Sequence, residues 1–281
     1  MARELKAAGV ISNVDAFIFW HYLHRQHSLK AGEYLFDKTA SVMEIHTRLA
    51  QGDIYVHTVV VPEGYNLFEI AQAVQDAGLG SGQDFLHVAM TNTSLIADID
   101  PAAKSLEGYL FPSTYGFTRT QSMQDIAAAM VRQFRFVAKD IGLASDIPKT
   151  VIIASIIEKE TAVPSERPLV ASVYHNRLAR NIALQADPCI IYAEMLKGTY
   201  GGVLRHEDLR VKSAYNTYRN PGLPPGPIAN PGKSSLEAAL HPAATGLYYF
   251  VSDGNGHHRF SRGLEEHNRN VTAYRKVRKV R

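Results

Sequence analysis

A chain of 281 residues with 46% hydrophobic side chains has enough apolar material for one large core and a smaller one, which excludes disorder as its overall state. Its 30 basic and 27 acidic side chains leave a net charge of +3, too even a balance to point to a nucleic-acid partner. The single cysteine, Cys189, excludes an intramolecular disulfide and a cysteine-based zinc cage, and no apolar run approaches the length of a membrane span.

In chain order, the first feature is a short internal repeat. Residues 2–15 lie on residues 71–84, matching Ala8-Gly9, Ser12 and Asp15 to Ala77-Gly78, Ser81 and Asp84. A strand-like segment from Tyr55 to Val61 and a turn at Pro62-Glu63-Gly64 lead into the second copy. The first copy starts inside its helix, as expected of a chain that lacks the opening strand of its first unit. Neither a basic stretch followed by an apolar one nor any other export signal is read at the N-terminus. Between the copies, Gly32 to Phe36 reads as a short strand and Ser41 to Ala50 as a helix.

From Leu106 to Phe117 four aromatics, Tyr109, Phe111, Tyr115 and Phe117, fall on alternate positions, the pattern of an extended segment that is either half-buried or offered to sugar rings. Helices are expected over Met123–Val137, Lys149–Glu160, Pro168–Ala179 and Pro188–Lys197, the last with Asp187 as its cap and Pro188 in its first turn. Residues 220–232 hold five of the 13 prolines and form a rigid loop suited to a groove wall. Ser234 and Glu237 have capping-box spacing for a short helix. Leu247–Val251 and His258–Ser261, joined by Asp253-Gly254-Asn255-Gly256, read as a β-hairpin, and a polar helix runs from Gly263. The basic run Arg275, Lys276, Arg278, Lys279 and Arg281 reads as the solvated end of that helix.

One carboxylate has the surroundings for acid chemistry. The segment Val151 to Glu160 is apolar all round for two turns and should be buried, and Glu160 continues the stripe Ile153, Ile156 and Ile157. Desolvation against large apolar side chains raises a carboxyl pKa towards the range of a general acid at neutral pH. Glu158 faces the smaller Ser155, Ala154 and Val151. The alternative for Glu160 is a core-helix end paired with Arg167 or Arg177. Downstream, Gln185, Asp187, and Tyr215, Asn216 and Tyr218 within Ser213–Tyr218 supply groups that can bind hydroxyls and amides. No HExxH, GxSxG or GxxxxGK[ST] pattern occurs, so a zinc site, a serine hydrolase and a nucleotide enzyme are not expected.

These residues sit in a series of longer motifs: LEGYLFPSTYGF at Leu106, ASIIEKET at Ala154, ASVYHNRL at Ala171, LQADP at Leu184, AYNTY at Ala214, GLPPGPIANPG at Gly222 and YYFVSDGNGHHRF at Tyr248. In this order and spacing the chain resembles the YceG-like endolytic murein lytic transglycosylases over nearly everything from Leu106 onward. The resemblance implies an α+β fold: a small LysM-like N-terminal region over residues 1–95, then a larger, mainly helical catalytic domain with a β-hairpin over 96–281. It implies that Glu160, the second glutamate of EKET, is catalytic and that Glu158 supports it. Glu107, Tyr109, Glu158, Gln185, Asp187, Tyr215, Asn216 and Tyr218 form the candidate substrate-binding set.

The implied reaction cuts the β-1,4 bond between N-acetylmuramic acid and N-acetylglucosamine without water and leaves a 1,6-anhydro end, with no metal or organic cofactor. The implied partners are peptidoglycan glycan strands and the peptidoglycan synthases. The resemblance implies a place at the outer face of the bacterial inner membrane, held by an N-terminal anchor that is not expected within the sequence as given. Two other readings stay open: a hydrolytic muramidase pairing Glu160 with Glu107, Glu158 or Asp187, and a non-catalytic peptidoglycan-binding module.

Overall fold

The computed structural model describes residues 1–280, with side chains through residue 276. The side chains of Arg278 and Lys279, and the whole of Arg281, lie outside the described residues.

The first three helices are α1 (Ala2–Ala7), α2 (Val14–Leu23) and α3 (Val42–Gln51). Local polar chemistry sets their ends: Asn13 accepts the backbone N–H groups of Asp15 and Ala16, and Ser41 with Glu44 forms a capping box. They close over a small core of Ile11, Phe17, Ile45 and Leu49. Gly32 to Phe36 is not a strand. It is held by single backbone hydrogen bonds, such as Tyr55 N–H to the Glu33 carbonyl at 2.7 Å, without the ladder that a strand requires.

Next come β1 (His57–Val61), α4 (Leu67–Asp76), α5 (Gly82–Thr91) and β2 (Ser113–Phe117). The two strands pair antiparallel, with Val59 opposite Tyr115, and Val59 and Val61 bury alternate side chains as a period of two demands. Of the expected extended run from Leu106, only its last five residues are strand; Leu106 to Leu110 turn inward and are buried, with Gly108 at φ +87° where a Cβ would meet Pro227 at 2.5 Å.

The internal repeat has a structural counterpart. Helices α1 and α4 each end before a glycine at φ +72°, Gly9 and Gly78, and the next N–H turns back in both, from Val10 to Leu5 and from Leu79 to Val74. The cap of the following helix is one residue out of step: Asn13 in the first copy, Ser81 in the second.

Strand β1 and helices α4 and α5 share the large core with the remaining helices except the last, which packs on the hairpin. The remaining helices are α6 (Met123–Asp140), α7 (Ile147–Glu160), α8 (Arg167–Ala179), α9 (Asp187–Lys197), α10 (Lys233–Leu240) and α11 (Leu264–Val280), with the hairpin β3 (Tyr249–Ser252) and β4 (His258–Ser261) before the last. The fold is thus mixed helix and sheet, and mostly helical. Helix α7 is central: every residue from Thr150 to Ile157 is buried, and α8, α9 and α10 pack around it. No helix among the described residues is long and apolar enough to cross a membrane.

Two helix starts differ from expectation. Asp187 is the first residue of α9 rather than its cap, which is Ala186, and the side chain that would have capped turns to Tyr218. Helix α10 is capped by Gly232 without a side-chain bond, because Ser234 is taken by Arg167.

The proline-rich loop is stitched inward. Asn230 accepts Leu110 N–H at 2.8 Å and donates to the Tyr65 carbonyl at 2.9 Å and to Glu107 at 2.8 Å, and Ser155 accepts Ile228 N–H at 3.1 Å. The loop thereby locks α4 to α7 from one side and leaves the C-terminal end of α7 facing the hairpin.

Candidate active site

Glu160 is the last residue of α7, where Thr161 turns into extended backbone. It opens onto a cavity of about 380 Å³. Its lining includes Arg177 from α8, Gln185 and Asp187 from the entry to α9, Tyr218, Phe250, Val251, Ser252 and His258 of the hairpin, and His267 of α11.

Ile153, Ile156 and Ile157, on the turns of α7 before Glu160, are all buried. Burial pushes the Glu160 pKa up to about 7. A hydrogen bond from the Tyr174 hydroxyl, 2.6 Å from Oε1, opposes that rise; the charge of Asp187 reinforces it, and Arg177 pulls it down. Tyr174 is itself held well above the usual phenol pKa, by burial first, so it stays a neutral donor. The residue keeps some surface open to the cavity while the carboxyl itself is desolvated.

Neither arginine pairs with Glu160 among the described residues. Arg167 lies 3.0 Å from Glu158. Arg177 spends its N–H groups on backbone carbonyls, Tyr248 at 2.7 Å and Leu184 at 2.7 Å, with its guanidinium over the Tyr249 ring. A carboxyl that is buried, bonded once and unpaired can hold a proton near neutrality and release it to a bound group.

Gln185 reaches the cavity from a left-handed backbone, φ +52°, a conformation that costs free energy in a residue with a Cβ and is held by its N–H bond to the Thr217 carbonyl at 3.1 Å. Thr217 also accepts Ala186 N–H at 3.0 Å, and the Tyr218 hydroxyl donates to Asp187 at 2.5 Å. The two polar segments around 185 and 217 are therefore one wall.

Of the residues the sequence singled out, Glu160, Gln185, Asp187 and Tyr218 meet at this cavity, and five others do not. Glu107 is in the core, accepting Leu67 N–H at 3.1 Å, the Tyr192 hydroxyl at 2.9 Å and Asn230; burial there pushes its pKa up to about 8. Tyr109 is fully buried and donates to Asp100 at 2.8 Å. Glu158 accepts from Arg167 and from Gly232 N–H at 2.9 Å. Tyr215 packs edge-on against Tyr192 at 5.1 Å, and buried Asn216 donates to the carbonyls of Leu209 and Val211. Their partners are protein groups, so their positions are explained by folding.

Sequence reasoning gave no binding or catalytic role to Tyr174, Glu166, Phe250, His258 and His267. Tyr174 lies in the ASVYHNRL motif, and Phe250 and His258 lie in the YYFVSDGNGHHRF motif. Phe250, Val251 and Ser252 all line the cavity, so strand alternation offered no signal that would have picked them out.

A desolvated carboxyl at the end of a buried helix thus faces a cavity lined by aromatic and polar side chains. The chain belongs to the YceG-like family, whose model matches residues 1–273. It is 34% identical over 295 residues to a protein of Bacillus subtilis (strain 168) named endolytic murein transglycosylase, covering 98% of this chain and 81% of that protein. It is 29% identical over 307 residues to one of the same name from Streptococcus pneumoniae, covering 98% of this chain and 56% of that protein. The crystal structure of a yceG-like protein from Listeria monocytogenes is similar with a TM-score of 0.65 and 33% identity, over 95% of this chain and 94% of that one.

Proposed function

We propose that this chain is an endolytic murein transglycosylase that cleaves the MurNAc-β-1,4-GlcNAc bond of peptidoglycan with Glu160 as its acid and then its base. The observation that carries the reading is the Glu160 carboxyl, protonated up to about pH 7 and open to a groove. Protonated Glu160 gives its proton to the glycosidic oxygen as positive charge builds at the muramyl C1. The resulting carboxylate takes the proton of the muramyl C6 hydroxyl, whose oxygen bonds to C1 and closes the 1,6-anhydro ring. The nucleophile belongs to the substrate, so one carboxyl serves both steps.

Gln185, Asp187 and Tyr218 are assigned to binding the sugar on the wall beside Glu160, and this rests on their shared cavity. A hydrolytic reading is favoured by one observation, the presence of Asp187 in the same cavity. Glycosidases that use water pair two carboxyls about 5–9.5 Å apart. We also read residues 1–95 as a LysM-like, peptidoglycan-binding region ahead of a catalytic domain over 96–281, supported by the repeated helix–glycine–helix turn. Action at the outer face of the cell membrane and contact with peptidoglycan synthases follow from the substrate and from family analogy.

The test is Glu160→Gln, which keeps shape and removes the proton. The variant is expected to sediment with purified sacculi as wild type does and to release no soluble fragments. Release at the wild-type rate would refute the assignment, and wild-type protein that binds sacculi without cutting them would favour the binding-module reading.

A further inference from the structure

His258, at the start of β4, lines the same cavity as Gln185 and Asp187, its side chain 14% exposed. Its Nδ1 lies 2.7 Å from Glu166 Oε2, and its backbone N–H reaches Glu166 Oε1 at 3.0 Å. Glu166 is itself only 10% exposed and takes a third contact, His257 Nδ1 at 3.1 Å. Burial acts to raise the Glu166 pKa, but the hydrogen bonds from His258 and His257 outweigh it and hold the group below its usual value, so it is a carboxylate and accepts only. The Glu166 carboxylate assigns a ring hydrogen to Nδ1 and leaves Nε2 as the ring atom available to a ligand. Among the described residues Nε2 has no protein partner.

The dyad is anchored to the same helix end as Glu160. Thr161, the next residue, donates its hydroxyl to Glu166 Oε2 at 3.2 Å. Phe250 meets the His258 ring edge-on at 5.4 Å and the Tyr174 ring edge-on at 5.9 Å, and Tyr174 holds Glu160. The hairpin histidine and the helix carboxyl are thus fixed to each other by one polar link and one aromatic link. A lone surface histidine would show neither the buried carboxylate behind it nor the packing.

We infer that His258 is a substrate-contacting residue of this groove, its Nε2 hydrogen-bonding a hydroxyl or acetamide group of the sugar, and that Glu166 is its positioning residue. This rests on the glycan-cleaving reading above. It adds a hairpin-borne contact to those assigned to Gln185, Asp187 and Tyr218 in the groove beside Glu160.

Two substitutions separate contact from scaffolding. Asn at position 258 carries an amide N–H near where Nδ1 lies, keeping the bond to Glu166 and deleting Nε2. Gln places an acceptor near Nε2 and loses the bond to Glu166. On purified glycan strands, kcat/KM of His258→Asn is expected to fall about tenfold or more below that of His258→Gln, both measured where their melting temperatures show them folded. Equal losses, or the larger loss in His258→Gln, overturn the inference, because a purely structural histidine needs the Glu166 bond most.

A second measurement needs no change at 258. Glu160→Gln protein is treated with diethyl pyrocarbonate with and without saturating denuded glycan strands, and labelled histidines are read by mass spectrometry. Labelling of His258 is expected to drop severalfold with the strands while exposed His206 is unaffected; unchanged labelling of His258 on strand-bound protein overturns the inference. Failure of wild type to cut the strands, or of the Glu160→Gln protein to bind them, refutes the underlying reading instead.

Discussion

Replacing Tyr174 with Phe removes one atom from the site and leaves the ring. The lost hydroxyl donates at 2.6 Å to Glu160 Oε1 from a side chain that is 1% exposed, so water does not replace it readily. A hydrogen bond to a charged group contributes about 1.5–3 kcal/mol. At 1.36 kcal/mol per pKa unit this amounts to about one to two units. The bond stabilises the carboxylate, so deleting it raises the Glu160 pKa from about 7 to about 8–9. The assay is the rate of release of anhydro-ended fragments at substrate concentrations well below KM, from pH 5 to 10, for both proteins. Activity needs protonated Glu160 in the free enzyme, so the alkaline limb of kcat/KM reports this group. The limb is expected to move to higher pH in Tyr174→Phe; its position is compared, not the plateau height, so a change in turnover does not confuse the result. A limb that stays in place or moves to lower pH would refute the reasoning.

Asp187→Asn should act in the opposite sense: the Asp187 charge raises the Glu160 pKa, so its removal is expected to draw the alkaline limb to lower pH in the same assay. Glu160→Gln should be more stable than wild type by a margin that grows with pH. The folded pKa of about 7 exceeds the ordinary value of 4.5, so wild type loses stability as pH rises from the lower to the higher value. The margin in urea denaturation is expected to be small at pH 5 and to reach up to about 3 kcal/mol at pH 8. Arg167→Met breaks a buried pair, with Arg167 and Glu158 side chains 9% and 5% exposed, and is expected to cost about 3–5 kcal/mol in the same measurement.

The helix carrying Glu160 was legible because its apolar run leaves no exposed face, and the isoleucine stripe identified the carboxyl that burial would titrate. The hairpin was legible from its Gly-rich turn. Candidate binding residues were harder, because buried polar side chains that serve folding have the same composition as those that serve a ligand. Glu107 looks like a groove carboxylate until Leu67, Tyr192 and Asn230 converge on it from distant parts of the chain. Tyr174 and the Glu166–His258 dyad escaped notice for the same reason: residues 166 and 258 share no local pattern, and only the packing of β4 on the turn after α7 joins them. Gly32 to Phe36 had the composition of a strand but no partner strand to pair with.

The most direct test of the central claim is the mass of the muramyl ends released from purified peptidoglycan by the wild-type protein. Intramolecular attack by the C6 hydroxyl leaves ends that lack one water relative to hydrolysis, so 1,6-anhydro-muramyl products are expected, and none from Glu160→Gln. Reducing-end muramic acid in their place would contradict the account, because it would mean that water, activated by a second group, does the work assigned here to the substrate's own hydroxyl.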